Sequence, residues 1–159
     1  MTGHLNLDIV KQSMEGLGTA EQVNKFRIRI KTTPERIPRA LLIAQKILKC
    51  DHLITISAVD NGTMFELLYH MTGIHRTVLS FAIELPRDNP EVHTVSDILP
   101  PAGIYERQIH DLLGIGFLGH PDLKRIILNE DWPTNEFPMR KDWKPDPGTF
   151  YGGIRKEVP

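Results

Sequence analysis

Three β-rich runs follow one another between Leu53 and Leu85, and the short links between them constrain this chain more than any other feature. Leu53 to Val59 and Met64 to Met71 are joined through Asp60-Asn61-Gly62, whose Asn-Gly pair suits the positive φ angles of a tight hairpin turn. After Thr72-Gly73, the residues Thr77, Leu79, Phe81, Ile83 and Leu85 alternate with polar or small neighbours and read as a third strand. Pro86-Arg87-Asp88-Asn89-Pro90 ends it. Upstream, Phe26, Ile28 and Ile30 alternate with Arg27, Arg29 and Lys31, the period-two pattern of a strand with one wet face. Ile37, Leu41, Ala44 and Leu48 then recur at helical spacing. Thr33-Pro34 resembles a helix start, which would leave Pro38 too deep in the helix. The expected fold is α+β: an antiparallel β meander with packed helices, in the order β-α-β-β-β and then a helix.

That later helix shows in Ala102, Tyr105, Ile109 and Leu112, with Gly114 placed to stop it in a left-handed turn. On its other side Glu106 and His110, and Arg107 and Asp111, stand four residues apart. As solvent-exposed pairs they would add only about 0.3–0.5 kcal/mol each. From Asn129 the composition changes: the last 31 residues hold five of the twelve prolines and five of the eleven aromatics, Trp132, Phe137, Trp143, Phe150 and Tyr151. Pro133, Pro138, Pro145 and Pro147 exclude a long helix, and few aliphatic residues remain to build a core. The expected division is a folded unit over 1–128 and an extended Pro/aromatic-rich docking arm over 129–159. Its rings would anchor either on this domain or on a partner.

Nineteen basic residues against twenty acidic ones give a net charge of −1, so no global field recruits nucleic acid or anionic lipid. With Cys50 as the single cysteine, the chain can form no internal disulfide and no cysteine cage for zinc or an iron–sulfur cluster, which fits a reducing compartment. The N-terminal residues have neither the basic start nor the apolar stretch of a signal peptide, and no apolar run approaches the length of a membrane span.

Titratable groups are densest between Ile104 and Lys124. His110, Asp111, His120 and Asp122 include metal-ligand types, but their spacing follows no zinc pattern. Glu106 with His110 could do acid–base work, yet no nucleophile or oxyanion donor lies near in sequence. His120-Pro121-Asp122 matches the tripeptide by which J-domains engage their ATPase partner, although a J-domain is a small helical hairpin. The bland reading is a solvated helix face followed by a loop in which Asp122 caps the next segment.

The run from Tyr105 to Leu128, with Asp131-Trp132 and Pro138-Met139-Arg140-Lys141-Asp142, closely resembles the signature of the thirty-kilodalton subunit, also called the C subunit, of NADH:quinone oxidoreductase (complex I). Related subunits occur in membrane-bound energy-converting nickel–iron hydrogenases, formate hydrogenlyases and F(420)H(2) dehydrogenases. The family pattern is met by Glu106, Arg107, Asp111, Leu112, Leu113, His120 and Lys124. Gln108 stands where the family usually has Glu, which removes a charge and keeps an acceptor.

The resemblance implies a non-redox structural subunit of an ion-translocating oxidoreductase, with no catalytic chemistry of its own and no cofactor bound by this chain. Iron–sulfur clusters, and nickel–iron or quinone sites, would belong to partner subunits. The implied partners are the large catalytic subunit and the small iron–sulfur subunit, at the cytoplasmic face of the membrane and reached only through the complex. The expected contact set is Glu106, Arg107, Asp111, His120, Asp122, Lys124 and Arg125 with Arg140 and Asp142 of the arm. Arg107 and Arg140 would be bidentate anchors, and Trp132 and Trp143 aromatic hot spots. A free-standing binding module built on His120-Pro121-Asp122 is the alternative. The short form, with Leu68-Tyr69-His70 and Leu112-Leu113-Gly114-Ile115, looks more like the hydrogenase and archaeal branch.

Overall fold

The computed structural model describes residues 3–145. Its elements are α1 (Leu7–Ser13), β1 (Gly18–Asn24), β2 (Arg27–Thr32), α2 (Ile37–Lys46), β3 (His52–Asp60), β4 (Met64–Thr72), β5 (Val78–Pro86), β6 (Glu91–His93), α3 (Ala102–Leu113) and β7 (Gly116–Leu118). None of the described helices is long and apolar enough to cross a membrane.

The three runs between Leu53 and Leu85 form the expected hairpins. β3 pairs antiparallel with β4, and β4 with β5, in a register that sets Leu67 opposite Ile83 and Tyr69 opposite Phe81. Gly62 turns the first hairpin at φ +91°, and the Asp60 carboxylate accepts its N–H at 2.8 Å. β2 does not continue the meander. It lies beside β5 in parallel, with Ile28 level with Leu79 and Ile30 level with Phe81, because α2, β3 and β4 intervene as a crossover. The five-stranded sheet therefore runs β1-β2-β5-β4-β3 and is otherwise antiparallel.

The alternation seen in sequence decides the faces. Phe65, Leu67, Tyr69 and Met71 of β4, Leu79, Phe81, Ile83 and Leu85 of β5, and Ile28 and Ile30 of β2 join one core with Ile37, Leu41 and Ala44 of α2 and Ala102, Ile109 and Leu113 of α3. Phe26, read as part of the apolar face of β2, precedes the strand and is exposed, its ring edge-on to His4. The opposite face carries the Arg29–Glu66 ion pair and a ladder across three strands, in which His70 is hydrogen-bonded to Ser57 at 3.1 Å and to Ser80 at 2.9 Å.

α2 begins at Ile37, so Pro38 occupies its first turn, where a missing N–H costs no intrahelical bond. Thr33-Pro34 lies ahead of the helix, and no side chain caps it. α1, β1 and the parallel pair β6–β7 have no counterpart in the sequence reading. β1 is almost wholly exposed and shows no apolar alternation, and β6 and β7 span three residues each. Cys50 is buried, and burial pushes its thiol up to about 11, which keeps it protonated and unreactive.

Candidate functional site

α3 organises the segment in which titratable groups are densest. It ends at Gly114, in the left-handed region at φ +71°, whose N–H bonds to the His110 carbonyl. Its buried stripe is Ala102, Glu106, Ile109 and Leu113, one position round from the expected stripe; Tyr105 and Leu112 are half-buried. Tyr105 still anchors the helix, donating its hydroxyl to the Ile54 carbonyl on β3 at 2.9 Å.

This rotation overturns the reading of Glu106–His110 and Arg107–Asp111 as exposed pairs. Glu106 is fully buried and accepts from the Val95 N–H at 2.8 Å and from the Thr94 hydroxyl. Asp111 is also buried. Its Oδ2 accepts three successive amides, Ile126 at 3.2 Å and Ile127 and Leu128 at 2.8 Å each, while Oδ1 lies 4.0 Å from Arg125 Nε. Burial alone would raise the Asp111 pKa, but the amides of Leu128, Ile127 and Ile126 and the charge of Arg125 together hold it below the usual carboxylate range.

Arg107 reaches the same loop from the other side, its Nε and Nη2 donating to the carbonyls of Lys124 and Arg125 at 2.9 Å each. Arg125 passes the connection on to the arm, donating to the carbonyls of Asn129, Trp132 and Pro133. Glu106, Arg107, Asp111 and Arg125 thus fold the chain's own loops with their polar atoms. Their burial or engagement removes Glu106 and Asp111 from any direct surface contact and leaves Arg107 little free to clamp a partner carboxylate.

His120 is pinned as well. Its Nδ1 accepts the Asp122 N–H at 3.0 Å, so the proton sits on Nε2, which donates to the Gly103 carbonyl at 3.1 Å. The ring is 3% exposed and cannot present itself as a J-domain histidine does, and the five-stranded sheet is no helical hairpin. Asp122 pairs its carboxylate with Lys124 at 3.0 Å, and no helix follows for it to cap. His110 Nδ1 binds the Ile115 carbonyl at 2.9 Å, away from Glu106. Among the described residues no group of three or more His, Cys, Asp or Glu is gathered as a metal would require.

The described part of the arm, 129–145, has neither helix nor strand and lies on this domain; Phe150 and Tyr151 fall outside the described residues. Trp132 is buried, donates Nε1 to the Glu136 carbonyl at 2.9 Å and meets Trp143 with ring centroids 5.9 Å apart. Trp143 donates Nε1 to the Glu136 carboxylate at 3.2 Å. The proposed hot spots therefore stack on each other. Arg140 is sandwiched between Phe65 and Phe137, 5.3 and 4.5 Å from the ring centroids, and donates Nε to the Leu113 carbonyl at 2.7 Å.

Phe137 also explains a second demand on Gly114: a Cβ there would stand 2.5 Å from a ring atom of Phe137. Gly114→Ala is expected to lose about 2–3 kcal/mol through the left-handed backbone and the displaced ring. Thermal unfolding should show this as a fall of roughly 5–10 °C in Tm.

One residue that sequence reasoning treated only as a turn proves to latch the arm. Asp60 accepts the Lys141 N–H at 2.9 Å and pairs with Arg87 at 3.0 Å, and Arg87 also pairs with Asp142. Burial would raise the Asp60 pKa, but Arg87 and the amides of Lys141 and Gly62 outweigh it and hold it at about 2. A pairing 81 residues away leaves no local signal. Glu106 did leave one, since it stands in helical register with Ala102, Ile109 and Leu113. What the clamps leave outward on the loop is Asp122, Lys124, Ile126 and Ile127.

Known proteins share this arrangement. The profile of the family described as "Respiratory-chain NADH dehydrogenase, 30 Kd subunit" matches residues 30–148. The C subunit of the F(420)H(2) dehydrogenase of Methanosarcina mazei is 34% identical over 133 residues, which cover 82% of this chain and 84% of that protein. The C/D subunit of the NADH-quinone oxidoreductase of Phocaeicola vulgatus is 31% identical over 118 residues, covering 72% of this chain and 22% of that longer protein. A chain in the solved structure of the membrane-bound sulfane sulfur reductase, an archaeal respiratory membrane complex, superposes with a TM-score of 0.77 at 27% identity, over 86% of this chain and 84% of that one. The profile covers well over half of the sequence and the M. mazei relative is alike over most of both chains, so the chain belongs to the respiratory-chain NADH dehydrogenase 30 Kd subunit family.

Proposed function

We propose that this chain is a structural subunit of a membrane-bound, ion-translocating oxidoreductase of the complex I type. It docks on the large catalytic subunit beside the small iron–sulfur subunit and holds the two in place. The observation that carries this reading is the use of the signature side chains. Glu106, Arg107, Asp111 and Arg125 are spent on the chain's own backbone and fix a loop that turns Asp122, Lys124, Ile126 and Ile127 outward. Rigid placement is itself a contribution where donor and acceptor must be held to within about an ångström.

The contact runs through these outward atoms, with Asp142 and Met139 of the arm at its margin, while Glu106, Asp111, His120, Trp132, Arg140 and Trp143 shape the surface from beneath. The chain binds no cofactor of its own; iron–sulfur clusters and a nickel–iron or quinone site lie in its partners. The local engagement of His110, Asp111 and His120, and the buried neutral thiol of Cys50, support that assignment. The double letter in the name of the P. vulgatus C/D subunit supports a domain of this kind standing directly against a second one. Attachment is peripheral, at the cytoplasmic face and through partners. The likeness to the M. mazei and archaeal reductase subunits supports the archaeal and hydrogenase branch.

Ile127→Asp tests the contact, with Ile9→Asp on α1 as a control at a similarly exposed site (53% and 52%). Both variants should unfold within about 0.5 kcal/mol of the wild type. In affinity purification from solubilised membranes, Ile127→Asp should lower recovery of the large subunit at least about tenfold, the cost of a charge placed in an apolar contact. Ile9→Asp should not. Full recovery with Ile127→Asp would exclude this loop as the docking face.

A further inference from the structure

Glu106 sits at the inner end of a short row of hydroxyls. Its Oε2 is hydrogen-bonded to Thr94 Oγ1, which lies 2.8 Å from Ser96 Oγ and accepts the Ser96 N–H at 3.1 Å. A hydroxyl carries one hydrogen, so Thr94 cannot donate to Glu106 and to Ser96 at once. The row has two complete arrangements. With Glu106 ionised, Ser96 donates to Thr94 and Thr94 donates to Glu106. With Glu106 protonated, Glu106 donates to Thr94, Thr94 donates to Ser96, and Ser96 turns its hydrogen outward. The outer end is open: Thr94, Ser96, His93, Asp97, Leu118 and Pro121 are among the residues lining a cleft of about 580 Å³. The carboxyl group itself has no exposed surface.

We propose that Glu106 is a buried proton-binding site that exchanges with solvent through the Thr94–Ser96 hydroxyl pair, and that its charge regulates the hold on the His120 loop. When a proton binds, a hydronium ion in the cleft gives it to Ser96 Oγ, the Ser96 hydrogen passes to Thr94 Oγ1, and the Thr94 hydrogen passes to Glu106 Oε2. One O–H bond forms for each one that breaks, and no other reactant is needed. The groups facing the carboxyl come from three sides. His120, after β7, places Nε2 3.8 Å from Oε2 and favours the charged form. Asp97, after β6, disfavours it. Tyr69 on β4 turns toward it a buried hydroxyl with no hydrogen-bond partner among the described residues.

Burial is the largest influence and raises the Glu106 pKa against the opposing bonds from Thr94 and Val95 and the charge of His120. The native state therefore holds this proton at a higher pH than the unfolded chain. The stability it contributes is complete below the unfolded glutamate value and is lost as pH rises through the folded one. Loss of the proton restores the attraction to His120, whose ring carries the turn at Asp122. The cleft thus reports on the loop that presents Lys124 and Ile127.

Infrared spectroscopy of the full chain, labelled with carboxyl-13C glutamate, tests this. The expected result is one protonated-carboxyl band that persists above the pH at which exposed glutamates ionise and is absent in Glu106→Gln. Its hydrogen–deuterium exchange should slow at least about tenfold in Thr94→Val and in Ser96→Ala, where exchange must await local opening. The Ser96→Ala variant removes one half-exposed hydroxyl and decides the matter alone if Thr94→Val fails to fold. A band that disappears with the ordinary glutamates would overturn the proton site. Exchange as fast in Ser96→Ala as in the wild type would overturn the route.

Discussion

Asp111→Ala is expected to cost about 3 kcal/mol, because it leaves the amides of Ile126, Ile127 and Leu128 without their shared acceptor and Arg125 without its buried carboxylate. Denaturant unfolding should show the loss as a lower midpoint with an unchanged slope. Asp111→Asn keeps an acceptor but no charge, so it should lose about half as much. The folded-state pKa of Asp111 lies below its unfolded value, so its stabilisation is present above the unfolded carboxylate pKa and disappears as pH falls through the folded one. Both variants should flatten that part of the pH profile. Amide exchange should accelerate at 126–128 before it does in the sheet.

Asp60→Ala is the second large effect, expected at about 3 kcal/mol, since four hydrogen bonds from Gly62, Arg87 and Lys141 end on one buried carboxylate. Between its unfolded value near 3.8 and its folded value of about 2, the wild type should lose about 1–2 kcal/mol on acidification, after allowance for solvent at the end of the sheet. Asp60→Ala should lack that step. The readout that separates a latch from a simple turn residue is proteolysis. Freed from Asp60, the Arg140-Lys141 bond should be cut by trypsin at least about tenfold faster, while cleavage within β3 and β4 follows global unfolding only. Arg87 still pairs with Asp142, so the arm loosens and does not detach.

Local pattern carried much of the fold. The Asn61-Gly62 turn, the alternation through Leu79, Phe81, Ile83 and Leu85, and the left-handed stop at Gly114 each depend on a few neighbouring residues, and each stands in the structure as read. The parallel partnership of β2 with β5 depends on a crossover, which period-two alternation does not encode. β1 escaped because an exposed hairpin strand needs no apolar face. The signature of the family was legible, but its physical use was not. Charged residues on a helix read as solvated, and only the packed structure brings Thr94, Val95 and the 126–128 amides to Glu106 and Asp111. The register of Glu106 with Ala102, Ile109 and Leu113 was the available clue. For the arm, aromatic content signalled anchoring, whereas the choice of its own domain at Phe65, Leu113 and Asp60 comes from contacts 27 to 81 residues apart.

At the centre of these expectations stands a docked, redox-silent member of a membrane-bound oxidoreductase. Native purification of the tagged full chain from detergent-solubilised membranes, followed by intact-complex mass spectrometry, tests that role most directly. The predicted result is a stoichiometric assembly containing a large catalytic subunit and a small iron–sulfur subunit. Paired-cysteine motifs in the large subunit would mark a nickel–iron hydrogenase, and their loss would mark a quinone or other acceptor. Recovery of the chain as a free monomer, with no such partners in the membrane fraction, would contradict it.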